Sequence, residues 1–122
     1  MVNEKKRKPV GGPCPIDPAI DVFAGKWKPA ILFMLNKQGT LRFNELRKLI
    51  PEVTQRMLTR QLRELERDGI IQRKSFDEMP PRVEYSMTKL GASLISIFEA
   101  IHEWSNQNMH SVRKAQERFS ST

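Results

Sequence analysis

Four arginines, Arg56, Arg60, Arg63 and Arg67, stand three and four residues apart in the stretch TQRMLTRQLRELERDG, from Thr54 to Gly69. On a helix they fall within about 60° of arc, almost opposite Leu58, Leu62 and Leu65. Such a helix buries one face and presents the other as positive charge. Like charges at these spacings cost an isolated helix roughly a few tenths of a kcal/mol per pair. Glu64 and Glu66 offset part of that cost. A bound anion offsets more, and the phosphate backbone of DNA is the obvious one. Thr54 is placed as the N-cap and Gly69 as the C-terminal stop. The helix between them, about four turns long, suits a DNA major groove. Its N-terminal half supplies the expected groove contacts: Thr54, Gln55, Arg56, Thr59 and Arg60. Arg63 and Arg67 are expected at phosphate or in solvent.

The second candidate for chemistry is Cys14, the one cysteine of the chain. A single thiol allows no intramolecular disulfide and no multi-cysteine zinc site. It lies between Pro13 and Pro15, just ahead of a helix start whose dipole favours a thiolate. Lys5 to Lys8 add positive charge nearby and Asp17 opposes it. The competing reading is a small apolar residue or an inert loop cysteine. His102 and His110 share one predicted helix and have no matching ligands. No Cys/His/Asp arrangement of an enzyme is visible, so no catalytic activity, metal or cofactor is expected.

The chain has 122 residues and a formal net charge of +7, which together favour one domain with a polyanionic partner. Charged residues make up 29%, and the longest apolar run, Ala30–Leu35, is far short of a membrane-spanning helix. No apolar segment follows the basic N-terminus, so a secretory signal is not expected and the protein is read as cytoplasmic.

Residues 1–15 combine the run Glu4-Lys5-Lys6-Arg7-Lys8 with prolines and glycines, and read as a flexible basic arm that includes Cys14. Residues 16–110 hold the domain. Asp17-Pro18 predicts an N-cap and a first-turn proline, with Ile16, Ile20 and Phe23 on one helical face. A second helix starts near Trp27, has Ile31, Leu32 and Leu35 as its core face, and ends at Gly39. Thr40–Phe43 is a candidate first strand. Asn44–Ile50 is a short helix with Phe43, Leu46, Leu49 and Ile50 inward, stopped by Pro51. A short helix, a three-residue turn and a basic amphipathic helix make a helix-turn-helix pattern. Two strands follow, Ile70–Phe76 and Arg82–Met87, with a loop over Asp77–Pro81. A hairpin directly after such a helix is the wing of a winged helix. Lys74 and Arg82 are its expected DNA contacts, with Asp77 and Glu78 pointing away. Thr88 caps a last helix on which Leu90, Leu94, Ile97, Ile101 and Trp104 follow a 4-3-4-3 spacing beside Phe98. Its start is expected to pack on its own domain and the remainder to meet a second subunit, the alternative being that all of it packs back on its own domain. Residues 111–122 read as a polar, fraying tail.

These stretches, taken in order, resemble the HxlR-type winged helix-turn-helix regulators, relatives of the MarR group. Cys14-Pro15, Phe23-Ala24-Gly25-Lys26-Trp27 and Arg42-Phe43-Asn44-Glu45-Leu46 carry the resemblance first. Ile50-Pro51, Gln55-Arg56-Met57-Leu58 and Leu62-Arg63-Glu64-Leu65-Glu66 continue it. Pro80-Pro81-Arg82-Val83-Glu84-Tyr85-Ser86 and Thr88-Lys89-Leu90-Gly91 complete it. The resemblance implies a mainly helical fold with a small β wing. It implies a homodimer joined by the first and last helices, with Ile20, Phe23, Leu94, Ile97, Phe98, Ile101 and Trp104 at the contact. It also implies that a cysteine placed as Cys14 senses oxidants or electrophiles. Members that use a second cysteine for an intersubunit disulfide are not matched here. Members that sense aldehyde through a lysine two residues on are not matched either, since that position is Ile16.

The expected function is dimeric, sequence-specific binding of double-stranded operator DNA, tuned by an oxidant or electrophile at Cys14. Three alternatives stand beside it. One is a regulator with a small-molecule effector, or none, and a structural Cys14. Another is a winged helix used for protein–protein contact, which would need a neutral or apolar face on the central helix. The third is a sequence-neutral nucleoid protein.

Overall fold

The computed structural model describes residues 14–122, which divide after Ala92 into two compact units. The expected basic arm lies outside the described residues except for Cys14 and Pro15. In the first unit the order is α1 (Asp17–Phe23), α2 (Lys28–Gln38), β1 (Leu41–Arg42), α3 (Phe43–Leu49), α4 (Gln55–Arg67), β2 (Ile71–Phe76), β3 (Arg82–Met87) and α5 (Lys89–Ala92). The second unit holds α6 (Ile95–Ser121).

The core is made by the apolar faces read from periodicity. Ile31, Leu32 and Leu35 of α2, Leu46 of α3 and Leu58, Leu62 and Leu65 of α4 are all buried. Val53 in the turn, Ile50, Leu41, Ile70 and Ile71 close the core around them. The two-residue β1 is viable because it pairs antiparallel with β3, Leu41 opposite Tyr85 and Arg42 opposite Glu84. The sheet order is β1-β3-β2, and β2 and β3 pair from Ile71↔Met87 to Phe76↔Arg82.

The helix ends follow local chemistry. Glu45 reaches back to accept the Arg42 N–H at 2.7 Å, which starts α3. Thr54 Oγ1 accepts the Met57 N–H at 3.0 Å and caps α4. At the other end Gly69, at φ +76°, donates to Glu66 O, and Ile70 N–H reaches Leu65 O at 2.9 Å. This is a Schellman stop, with Leu65 and Ile70 both buried beneath it. Thr88 Oγ1 donates to Gly69 O at 2.6 Å and accepts the Gly91 N–H at 3.0 Å, locking the end of the wing to the end of α4. Gly91 sits so close to the Ile70 carbonyl that any Cβ there would collide with it.

Four expectations are corrected. Asp17 is the first helical residue of α1 and Ile16 the N-cap, because the Ile20 N–H already bonds to Ile16 O. Leu49 is exposed rather than inward, since Leu46 and Ile50 fill the space under α3. The last helix is not continuous from Thr88. It breaks at Ser93-Leu94, so Leu90 belongs to α5 and Leu94 to the turn, and the even seam spacing holds only for Ile97, Ile101 and Trp104. Residues 111–121 are helical, the last turns of α6, and their polar side chains are exposed as a solvated helix requires.

Taken by itself, α6 has no buried residue along 27 positions. Ile97, Ile101 and Trp104 are 44%, 52% and 55% exposed and lie on one side of it. No residue of α1 is buried either, and its Ile20 is exposed.

Candidate nucleic-acid interface

Helix α4 has 13 residues, about 19 Å at 1.5 Å per residue. Leu58, Leu62 and Leu65 fix its rotation by filling the core. That rotation turns Gln55, Arg56, Thr59, Arg60 and Arg63 outward, and all five are exposed. Arg56, Thr59, Arg60, Arg63, Glu64 and Arg67 line one shallow, open depression. Thr54 stands exposed at the N-terminal end, its oxygen accepting the capping bond and its hydroxyl hydrogen left to donate.

The four arginines differ in their local pairing. Arg67 lies against Asp68, with Nε–Oδ1 2.9 Å and Nη2–Oδ2 3.2 Å. Arg60 Nε lies 3.4 Å from Glu64 Oε2. Arg56 and Arg63 enter no ion pair among the described residues. The uncompensated charge of the helix is therefore greatest at Arg56 and Arg63, one near the N-terminus and one in the C-terminal half.

Glu64 is tied to the interior. Lys28 of α2 is only 5% exposed, and its Nζ lies 2.8 Å from Glu64 Oε1. Burial pushes the Glu64 carboxyl up, but the hydrogen bonds and charges of Lys28 and then Arg60 outweigh it and hold the group below its ordinary value of 4.5. A carboxyl depressed on folding stabilises the fold above its unfolded value, and that contribution is lost as pH falls through the folded value.

The wing brings Lys74 and Arg82 to the same sheet face, with Phe76 between them. The Lys74 Nζ is 5.3 Å and the Arg82 guanidinium carbon 4.0 Å from the Phe76 ring centre. Glu78 turns back from the tip to meet Arg82 Nη2 at 3.2 Å. Glu84 Oε2 lies 3.2 Å from Arg82 Nε, a charge contact without hydrogen-bond alignment. Arg82 is thus stacked and opposed by two carboxylates, while Lys74 is exposed.

Other basic groups near this surface escaped the sequence reading. Arg73 of β2 flanks α4 beside Thr59, Leu62, Arg63, Glu66 and Tyr85. Strand alternation places it on the Ile71 side, the side that faces α4, and that was the available signal. Asn44, Arg47 and Lys48 of α3 line a shallow surface with Pro51. Lys28 was missed because a lysine does not register as apolar, although it stands three, four and seven residues before Ile31, Leu32 and Leu35. Among the described residues, no group of three His, Cys, Asp or Glu side chains gathers as a metal site, and no helix is long and apolar enough to cross a membrane.

Cys14 is half-buried. Its carbonyl accepts the Asp17 N–H at 3.2 Å, so the residue is attached to the start of α1.

A short helix, a tight turn, a capped basic helix and an antiparallel hairpin define a winged helix-turn-helix protein. The chain belongs to the HxlR-like helix-turn-helix family, whose model matches residues 22–113. It is 43% identical over 112 residues to the HTH-type transcriptional regulator YdeP of Bacillus subtilis, covering 87% of each chain. Among solved structures it is similar to the redox regulator HypR in its reduced form, with 42% identity, a TM-score of 0.77, and coverage of 83% of this chain and 99% of that one. It is also similar to diamide-treated YodB from Bacillus subtilis, with 32% identity, a TM-score of 0.68, and coverage of 78% and 94%.

Proposed function

We propose that this protein is a homodimeric regulator that binds operator DNA sequence-specifically through α4 and releases or tightens it when Cys14 is modified. The observation that carries the DNA-binding reading is the outward face of α4, a capped helix with Gln55, Arg56, Thr59, Arg60 and Arg63 exposed on one side. Arginine matches guanine O6 and N7 bidentately, and glutamine matches adenine. The surface of α3, with Arg47 and Lys48, suits the DNA backbone, as the first helix of such a motif does. The apolar faces left exposed on α1 and α6 support pairing with a second copy, which would set two recognition helices on a pseudo-palindrome. An arginine-rich face on α4 disfavours the reading as a protein–protein module. Transcriptional regulation, not catalysis, and a cytoplasmic setting fit this function.

The wing is read as a phosphate contact, with Lys74 leading. Lys74→Ala is expected to flatten the salt dependence of operator binding by about one unit of slope. Arg82→Ala should change it less, because Glu78 and Glu84 already oppose that charge. Titrations at several salt concentrations check this, and an unchanged slope for Lys74→Ala would take the wing off the duplex.

Two considerations support Cys14 as the switch. It is joined to the start of α1, and structures similar to this chain include a redox regulator and a diamide-treated regulator. With one thiol per chain, oxidation gives an adduct, a mixed disulfide with a small thiol, or a Cys14–Cys14 bridge across the dimer. With diamide, two thiols lose two electrons and two protons to the N=N bond as the S–S bond forms. A shift of α1 would alter the spacing of the two recognition helices. Diamide should change operator affinity of the wild type by about tenfold or more and leave Cys14→Ser unaffected. An equal response from both proteins would make Cys14 structural.

A further inference from the structure

We propose that Glu64, anchored by the buried Lys28, is a positioning residue that orients Arg60 for base recognition. This rests on the reading of α4 as the DNA-reading helix.

Lys28 occupies a place in the apolar stripe of α2, in register with Ile31, Leu32 and Leu35. An apolar side chain there would avoid the cost of removing an ammonium and a carboxylate from water, so stability alone does not account for the pair. What the pair provides is a carboxylate at a fixed position. Glu64 lies on the border of α4, between the buried leucines and the exposed arginines. Its Oε1 is engaged inward by Lys28 at 2.8 Å, and its Oε2 faces outward to Arg60 Nε at 3.4 Å. An exposed i,i+4 pair without that anchor would hold its arginine weakly.

The atom contacted on Arg60 matters. A carboxylate on Nε restricts the plane of the guanidinium and leaves Nη1 and Nη2 as the outward fork. That fork is the edge that meets guanine O6 and N7, and it must be coplanar with the base. Arg60 is 65% exposed, and its Nη groups carry no protein partner among the described residues. Holding it before DNA arrives reduces the rotamer freedom lost on binding. Arg56 has no such support, so the two groove-facing arginines should differ in how sharply each reads its base.

The test uses the full-length protein and a duplex selected by the wild type from a randomised pool, with every single base-pair variant of it. Arg60→Ala should lose discrimination at one base pair of each half-site. Glu64→Gln should lose about tenfold in discrimination at that same pair and little elsewhere. Arg60→Ala/Glu64→Gln should be no worse than Arg60→Ala. Because Glu64→Gln leaves Lys28 buried without an anionic partner, Lys28→Met/Glu64→Gln is the fold control. It should melt no lower than the wild type and still show the same loss at that pair. The proposal is overturned if Glu64→Gln weakens all duplexes by one factor, or if Lys28→Met/Glu64→Gln keeps wild-type discrimination. Should Arg60→Ala discriminate as the wild type does, both Arg60 as a reader and its support fall. If Arg60→Ala relaxes one pair and Glu64→Gln does not, only the support falls.

Discussion

Ile101→Asp is expected to be a folded monomer that binds a pseudo-palindromic operator at least about 100-fold more weakly than the wild type. Ile101 is 52% exposed on α6, in line with Ile97 and Trp104, and α6 taken by itself has no buried residue. A row of this kind repays its exposure only when another surface covers it. A carboxylate at its centre would have to be buried unpaired in the proposed dimer, at a cost of several kcal/mol, yet costs little in a solvated monomer. The fold of residues 14–92 keeps its own core of Ile31, Leu32, Leu46, Leu58, Leu62 and Leu65 and should be unaffected. The DNA effect follows from geometry. Two linked recognition helices bind a second half-site at high effective concentration, and a monomer loses that gain. Analytical ultracentrifugation and operator titration read both quantities. A variant that remains dimeric would place the subunit contact elsewhere, with Ile20 and Phe23 of α1 the next residues to change.

The second large effect is expected at the N-terminal end of α4. Gln55→Ala and Arg56→Ala should each lose about 1–3 kcal/mol of discrimination at one base pair, up to about 100-fold. Both residues are exposed in the first turn, directly after the Thr54 cap that holds the helix end. Arg56 enters no ion pair among the described residues, so its full charge is available to the groove. The core below is untouched, and the melting temperature should stay close to that of the wild type. Competition with single base-pair variants of the selected duplex checks this. A uniform loss over all duplexes would make the two residues backbone contacts.

The parts legible in the sequence are those whose local chemistry and burial agree. Thr54 and Gly69 bound α4 because a hydroxyl cap and a left-handed glycine are needed wherever that helix starts and stops. Leu58, Leu62 and Leu65 revealed its inner face, and that alone fixes which arginines face outward. The wing was legible from Pro80-Pro81 and from strand alternation. What stayed hidden depends on tertiary context. Lys28 looks like an ordinary surface lysine until Glu64 is placed beside it. The break at Ser93-Leu94 has no proline to mark it, Gly91 before it is compatible with a continuing helix, and the apolar spacing runs evenly through it. The helical run from Ser111 to Ser121 is polar on nearly every side, so periodicity offered no sign of it. Arg82 read as a DNA contact because its charge was visible, while its opposition by Glu78 and Glu84 depends on the hairpin register.

The most direct measurement compares the affinity of the full-length protein for a duplex it selects from a random pool with its affinity for the same base composition scrambled, at physiological salt. A groove-reading dimer should prefer the selected duplex by about 1,000-fold or more, and Arg56→Ala should narrow that ratio. Equal affinity for the two duplexes would contradict sequence-specific recognition by α4 and leave a protein that binds DNA by charge alone.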